Sequence, residues 1–310
     1  MGMEPEAQRR KTFTGNVEHE ARCDAGARSP LRIRPLQCME IVGGSERVDA
    51  AFSAPGVDVF LRSRPHGGEH SGGDVHYVSL CGRGCVSRLL VADVSGHGEE
   101  VAAIAHRLRR LMRKTIGTPD QRKLARALNR EFNSARGEGR IVTAIIATYF
   151  APTDQLILCN AGHPPPLWWS AQTERWSLLR ADAHEVQSQG VGPRNLPFGV
   201  IEPTEYVQFA VRLTPDDLVV VFTDGVTEAR LPEGGRLGQE GLLRLVERVD
   251  PRAPERFLDA LEEQLDQLGA HPPEDDDATL LLLHHNAADP PEQTLLDRIR
   301  VTARMLGLGG

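Results

Sequence analysis

Residues 88–112 read RLLVADVSGHGEEVAAIAHRLRRLM, and two periodicities meet there at a single acid. From Arg88 to Val94 the residues are aliphatic and β-branched, a block that suits a buried strand. From Glu99 onward apolar residues recur at three- and four-residue steps, as on a helix with one buried face. Between the two stand Asp93 and the turn VSGHG (94–98). A carboxylate closing a hydrophobic run is costly to bury unless something positive meets it.

The same junction recurs along the chain. Asp74 follows SGG and precedes a strand, and Asp224 closes LVVVFTDG. Asp275, Asp276 and Asp277 stand directly before ATLLLL. If these strands are neighbours, the acids converge at one rim of a sheet. Strand candidates are VDVFLRS, VHYVSLC, VSRLLVADV, IVTAIIATYF, QLILCNA, PLWWS, RWSLL, YVQFAVRL, DLVVVFTD and DATLLLLHH. Helical spacing falls at 99–115, 120–134, 239–249, 253–268 and 292–305, with Pro119–Asp120 and Pro251 at two of the starts. Many strands with helices inserted in pairs, and little strict strand–helix–strand alternation, predict an α+β fold: an antiparallel sheet system covered by helices.

The 310 residues are 40% hydrophobic and 25% charged with a net charge of −7, which suits one large domain or two small ones. Only 5% are aromatic, too few for a base-stacking platform, and the acidic balance also argues against a nucleic-acid partner. The basic run RLRRLMRK (Arg107 to Lys114) lies on a helix candidate and reads as a solvated face. Cys23, Cys38, Cys81, Cys85 and Cys159 are an odd number with no repeated CxxC pair, as expected of idle thiols in a reducing compartment. No apolar run reaches the roughly 18 residues of a membrane span, and the start lacks a signal-peptide core. A cytoplasmic protein with no membrane partner is expected. Residues 1–34, polar and Arg-rich, read as a disordered arm. The domain then runs from 35 to 288, and 289–310 form a C-terminal helix and tail.

Clustered carboxylates repel one another unless cations neutralise them. Hard divalent ions such as Mg²⁺ and Mn²⁺ accept such oxygen ligands. Two of them about 3.5–4 Å apart can activate a water and clamp a phosphoryl group for in-line attack. Taken singly, each acid reads equally as a helix cap or a turn residue, and spacing alone leaves both readings open.

SGGD (71–74), VADVSGHG (91–98), VTAIIATYF (142–150), NAGHPPPL (160–167), LPFGV (196–200), FTDGVTEAR (222–230) and DDATLLLL (276–283) occur in the order found in one family. Over residues 38–285 the chain resembles the SpoIIE branch of the metal-dependent PPM (protein phosphatase 2C-like) serine/threonine phosphatases. The resemblance implies a sandwich of two packed antiparallel sheets flanked by helices on both sides. It also implies two Mn²⁺ or Mg²⁺ ions, and hydrolysis of phosphoserine or phosphothreonine. By the same resemblance Asp93 bridges both ions and the Val94 carbonyl adds a ligand. Asp224 and Asp276 hold one ion, and Asp74 stands in or next to the coordination sphere. Asp93 and Asp224 are thus the expected catalytic pair.

In this pattern Asp276 takes the ligand position, although strand alternation alone would also allow Asp275 and Asp277 to share a face opposite it. His97 could act as a general acid, but it lies two residues further from the aspartate than the acid histidine of eukaryotic relatives. His163 reads as part of a rigid loop shaping the site. Where the family commonly has a second acid, three residues after that of GGD, this chain has Tyr77. The resemblance further implies a phosphorylated protein substrate, such as an anti-sigma-factor antagonist, and an activating partner protein acting through the helix after GHG. Two other readings compete: a degenerate phosphatase fold that only binds a partner, and a two-metal nuclease, for which neither a basic groove nor histidine ligands are apparent.

Overall fold

A computed structural model describes residues 31–81, 84–95, 99–115, 120–134, 141–181, 193–272 and 276–288. Residues 1–30 of the expected arm, His97, Asp275 and the expected helix at 292–305 lie outside the described residues. In chain order the strands are β1 (Ile33–Pro35), β2 (Ile41–Glu46), β3 (Val48–Ala54), β4 (Val57–Arg64), β5 (Ser71–Cys81) and β6 (Val86–Val94). After helices α1 (Glu99–Thr115) and α2 (Gln121–Ser134) come β7 (Val142–Phe150), β8 (Gln155–Ala161), β9 (Leu167–Ser170), β10 (Arg175–Leu178), β11 (Gln208–Arg212) and β12 (Leu218–Phe222). The short turn α3 (Asp224–Thr227), α4 (Gly238–Val246), α5 (Pro254–Leu268) and β13 (Ala278–His285) complete the order.

Two sheets result. The first runs β1-β3-β4-β13-β12-β9-β10 and the second β11-β8-β7-β6-β5-β2. Among the described residues every pairing between strands is antiparallel except β1 with β3. Ile33–Pro35 pairs with Ala51–Ser53, and the Arg34 guanidinium stands 5.3 Å over the Phe52 ring. The break at 34/35 therefore falls inside a strand.

Successive side chains on a strand point to opposite faces, and both sheets use this to serve two layers. Val78, Leu80, Leu89, Val91, Ile145 and Ala147 of the second sheet meet Val59, Leu61, Val219, Val221, Leu281 and Leu283 of the first. The alternate residues Tyr77, Leu90, Ala92, Ala144 and Ile146 face outward and are covered by Ile104 and Leu108 of α1 and Leu124 and Leu128 of α2. On the other outer face, Phe60, Val220, Phe222, Leu280 and Leu282 pack with Leu242 and Leu245 of α4 and Phe257 and Leu261 of α5. Helices thus cover both sides of an antiparallel sandwich, the architecture expected. Among the described residues no helix is long and apolar enough to cross a membrane.

Candidate active site

Followed to one end, the layer between the sheets turns from apolar to acidic. In β6 the inward series Leu89, Val91 continues to Asp93, which pairs directly with Asp74 of β5 on one side and Thr143 of β7 on the other. In the first sheet the series Val219, Val221 leads to Thr223, and Leu283, Leu281 leads back to Thr279. Thr223 Oγ1 donates to Asp74 Oδ2 at 2.7 Å and accepts from the Thr279 amide at 2.9 Å. The direction of that hydroxyl is therefore set, and it ties the two sheets together at the rim.

Asp224 opens α3 immediately after Thr223. Gly225 follows because a side chain there would overlap the Asp277 carbonyl oxygen; this close approach sets Asp276 and Asp277 against α3. Asp277 is itself buried. Its carboxylate accepts the amides of His66 at 2.7 Å, Asp74 at 3.2 Å and Gly73. It stitches the start of β5 to the start of β13. Among the described residues the neighbouring Asp276 makes no such contacts beyond its Oδ1 accepting the Asp277 amide at 3.0 Å.

The carboxyls sense one another. Burial pushes Asp93 up to about 7, with the charges of Asp224, Asp276 and Asp277 adding to the effect. Asp276 is raised to about 6 by burial and then by Asp224, and Asp224 is raised by burial and then by Glu228. Asp74, the most deeply placed, is held well above the carboxylate range by burial and then by the charge of Asp93.

Asp74, Asp93, Asp224 and Asp276 are thus brought to one rim. Val94 ends the same strand, its side chain buried toward α1. Tyr77 points the other way: three residues along a strand reverse the face, and its hydroxyl donates to the Ala105 carbonyl of α1 at 2.6 Å. An acid there would meet α1 and not the rim. Two residues that sequence reasoning passed over complete the site, Thr223 as a cross-sheet tie and Glu228 as a further charge, while Asp277, one of the acids the sequence singled out, serves as an anchor. The motifs TDGVTE and DDAT contained them, but only strand adjacency assigns their roles.

The other motifs brace the rim. The Asn160 side chain accepts the His163 amide and donates to its carbonyl, both at 2.8 Å. Gly162 turns with a φ of 69°, where a methyl would overlap the Pro197 ring. Phe198 exchanges two backbone hydrogen bonds with Val142, which lies opposite Val94. NAGHPPPL and LPFGV therefore clip the β7 end that supports Asp93.

Among the described residues no three Asp, Glu, His or Cys side chains already close into a coordination cluster; the acids face one another across an open rim. As a donor set they are all oxygen, partly desolvated and raised in pKa by one another's charge, which fits hard divalent cations and not soft ones.

Solved structures share this architecture. A Mycobacterium tuberculosis protein with RsbU and RsbW domains superposes with a TM-score of 0.61 at 24% identity, over 85% of this chain and 71% of that one. The PP2C phosphatase domain of SpoIIE from Bacillus subtilis, with a fragment of its regulatory domain, gives 0.60 at 16%, over 82% and 71%. The fold is accordingly that of the PP2C-type phosphatases. The family described as Stage II sporulation protein E (SpoIIE) matches residues 86–286, and the chain belongs to that family. The phosphoserine phosphatases RsbU and RsbP of Bacillus subtilis (strain 168) are 28% and 26% identical, over 51% and 45% of this chain. The chain spans 44% and 33% of their lengths, less than half of either.

Proposed function

We propose that this chain is a Mn²⁺- or Mg²⁺-dependent phosphoprotein phosphatase acting on phosphoserine or phosphothreonine. The observation that carries the reading is the meeting of Asp74, Asp93, Asp224 and Asp276, from both sheets, at one rim without a cationic side chain bonded to any of them among the hydrogen bonds and ion pairs of the described residues. Asp93 would hold both ions, with the Val94 carbonyl as a further ligand, Asp224 and Asp276 on one of them, and Asp74 beside Asp93. Two such ions, when bound, supply an activated water and neutralise the phosphoryl oxygens. The chain's own part is positioning. Thr223 orients Asp74, Asp277 fixes the start of β5, and the paired ends of β6 and β7 hold Asp93 at a set depth. Three apolar layers, at roughly 1.5–3 kcal/mol per buried large side chain, keep those ends in place against acids whose repulsion costs a few kcal/mol.

RsbU and RsbP carry the name phosphoserine phosphatase, which supports a signalling phosphoprotein as substrate. We take it to be a cytoplasmic anti-sigma-factor antagonist or a similar small regulator. An activating partner would act through α1, whose Arg110, Arg113 and Lys114 are exposed. The test is hydrolysis of a generic aryl phosphate with Mn²⁺ titrated against chelator, with nucleic acid as a second substrate. Activity abolished by chelation and restored by Mn²⁺ is expected. Full activity in excess chelator would refute the metal mechanism, a folded but inert protein would leave a partner-binding module, and cleavage of nucleic acid would make it a nuclease.

A further inference from the structure

The acids of the rim come from two sheets, and a binuclear site needs the two sets held at a fixed separation. On one flank that separation is set by the side chains described above. Thr223 of the first sheet bonds Asp74 of the second at 2.7 Å, and Asp277 bonds the amides of Gly73 and Asp74. Both ties reach the start of β5, one from the end of β12 and one from the start of β13. Asp93, however, sits on β6, between β5 and β7, and Asp224 follows β12, between β13 and β9. The flank formed by β7 and β9 needs a tie of its own.

The connection from β8 to β9 crosses from the second sheet to the first, and it carries His163. The imidazole is 5% exposed. Its Nδ1 lies 2.9 Å from Thr143 Oγ1, and Thr143 is the direct cross-strand partner of Asp93. On the other side the backbone of Phe222, two residues before Asp224, lies within polar reach of the ring. Among the described residues Nε2 is sealed from solvent without a well-formed hydrogen bond, a buried donor with the Phe222 backbone as its polar neighbour. The bracket from Asn160 and the packing of Gly162 on Pro197 fix the peptide that presents it.

We infer that His163 is a positioning residue: it spans the two sheets between Thr143 and Phe222 and sets the distance between Asp93 and Asp224. The inference rests on the metal-dependent reading proposed above. Neutral imidazole suits this task, accepting the Thr143 hydroxyl at Nδ1 and directing the Nε2 proton at the Phe222 carbonyl. It needs no contact with substrate. Burial lowers its pKa to about 3, so it stays neutral across the working range.

The test uses the full chain with His163→Leu, His163→Asn and Thr143→Val. Mn²⁺ binding is read directly from the electron paramagnetic resonance signal of free Mn²⁺, and kcat and KM are measured on an aryl phosphate. In His163→Leu the Mn²⁺ dissociation constant should rise about 10-fold or more, as when a residue supporting a ligand is lost. Its kcat should fall about 10–100-fold from misplacement of the acids, with KM for the aryl phosphate unchanged. His163→Asn keeps a polar atom near Nδ1 and should recover most of the metal affinity. Thr143→Val removes the same contact from the other side, should shift Mn²⁺ affinity in the same direction, and carries the test if His163→Leu does not fold. Folded variants with wild-type Mn²⁺ affinity would overturn the inference and leave His163 as loop packing. A wild-type chain that binds no Mn²⁺ would instead overturn the phosphatase reading, and this inference with it.

Discussion

Replacing Asp93 by asparagine should stabilise the metal-free protein at alkaline pH while abolishing its activity. Unfolded, Asp93 gives up its proton near 3.8; folded, it keeps it to about 7. Between those values the native state binds more protons than the unfolded state, so this residue's contribution falls as pH rises and levels off above 7. Three units at about 1.4 kcal/mol each give a ceiling of about 4 kcal/mol, and partial solvent access at the rim brings the expectation to about 2–4 kcal/mol. Buried histidines act in the opposite sense. His76 and His163 are lowered from 6.5 to about 4 and about 3 by burial, so they add stability as pH rises toward 6.5. The wild-type pH profile alone therefore mixes the two effects, and the informative quantity is the difference between variant and wild type. Asparagine mimics the protonated acid, and loss of the Asp93 charge also relieves Asp74. Urea unfolding in chelator should give matching stabilities at pH 4 and a gap of about 2–4 kcal/mol in favour of Asp93→Asn at pH 8. Excess Mn²⁺ should reverse the order by stabilising the wild type alone. A difference that is zero at pH 8, or equal at both pH values, would refute the placement of Asp93 among ionised neighbours.

The two acids before β13 should separate by what they hold. Asp277→Asn disturbs the amides of His66, Gly73 and Asp74 and should cost about 1–3 kcal/mol of stability in denaturant melts. Asp276→Asn should raise the stability of the metal-free protein at pH 8, as Asp93→Asn does but by less, since its carboxyl is raised only to about 6; it should also remove most of the activity and demand higher Mn²⁺. Gly162→Ala, at a φ of 69° and against the Pro197 ring, should cost about 1–3 kcal/mol, seen as a lowered Tm. Arg62 is buried and bonds Asp49, Asp259 and Glu262 at 2.8–3.1 Å. Arg62→Met should cost about 3 kcal/mol yet leave kcat per folded molecule unchanged, because its partners lie on β3 and α5, away from the rim.

Strands that carry dense aliphatic residues were legible: VSRLLVADV and QLILCNA form β6 and β8 over the same residues. Helix spacing set α1 at 99–115 and α2 one residue short of 120–134. β2 and β3 were not legible. IVGGSE and VDAAFSA carry glycines and alanines that signal no strand, and pairing with β5 and β4 makes them strands. The acids at strand ends could be read from sequence, but not their convergence, because that depends on which strands are neighbours. β13 lies between β4 and β12, and no local pattern encodes the long separation from β4. For the same reason the contrast between Asp276 and Asp277 was open: only the position of the loop before β5 shows that Asp277 is already occupied by amides.

On the reading proposed above, acids from both sheets hold a pair of hard cations at this rim. Crystals grown with Mn²⁺ and measured at a wavelength where manganese scatters anomalously test it most directly. Two anomalous peaks between the strand ends are predicted, both within coordination distance of the Asp93 carboxylate, with Asp224 and Asp276 on one of them. Well-ordered crystals with no peak at this rim, or with manganese only on acids elsewhere, would contradict it.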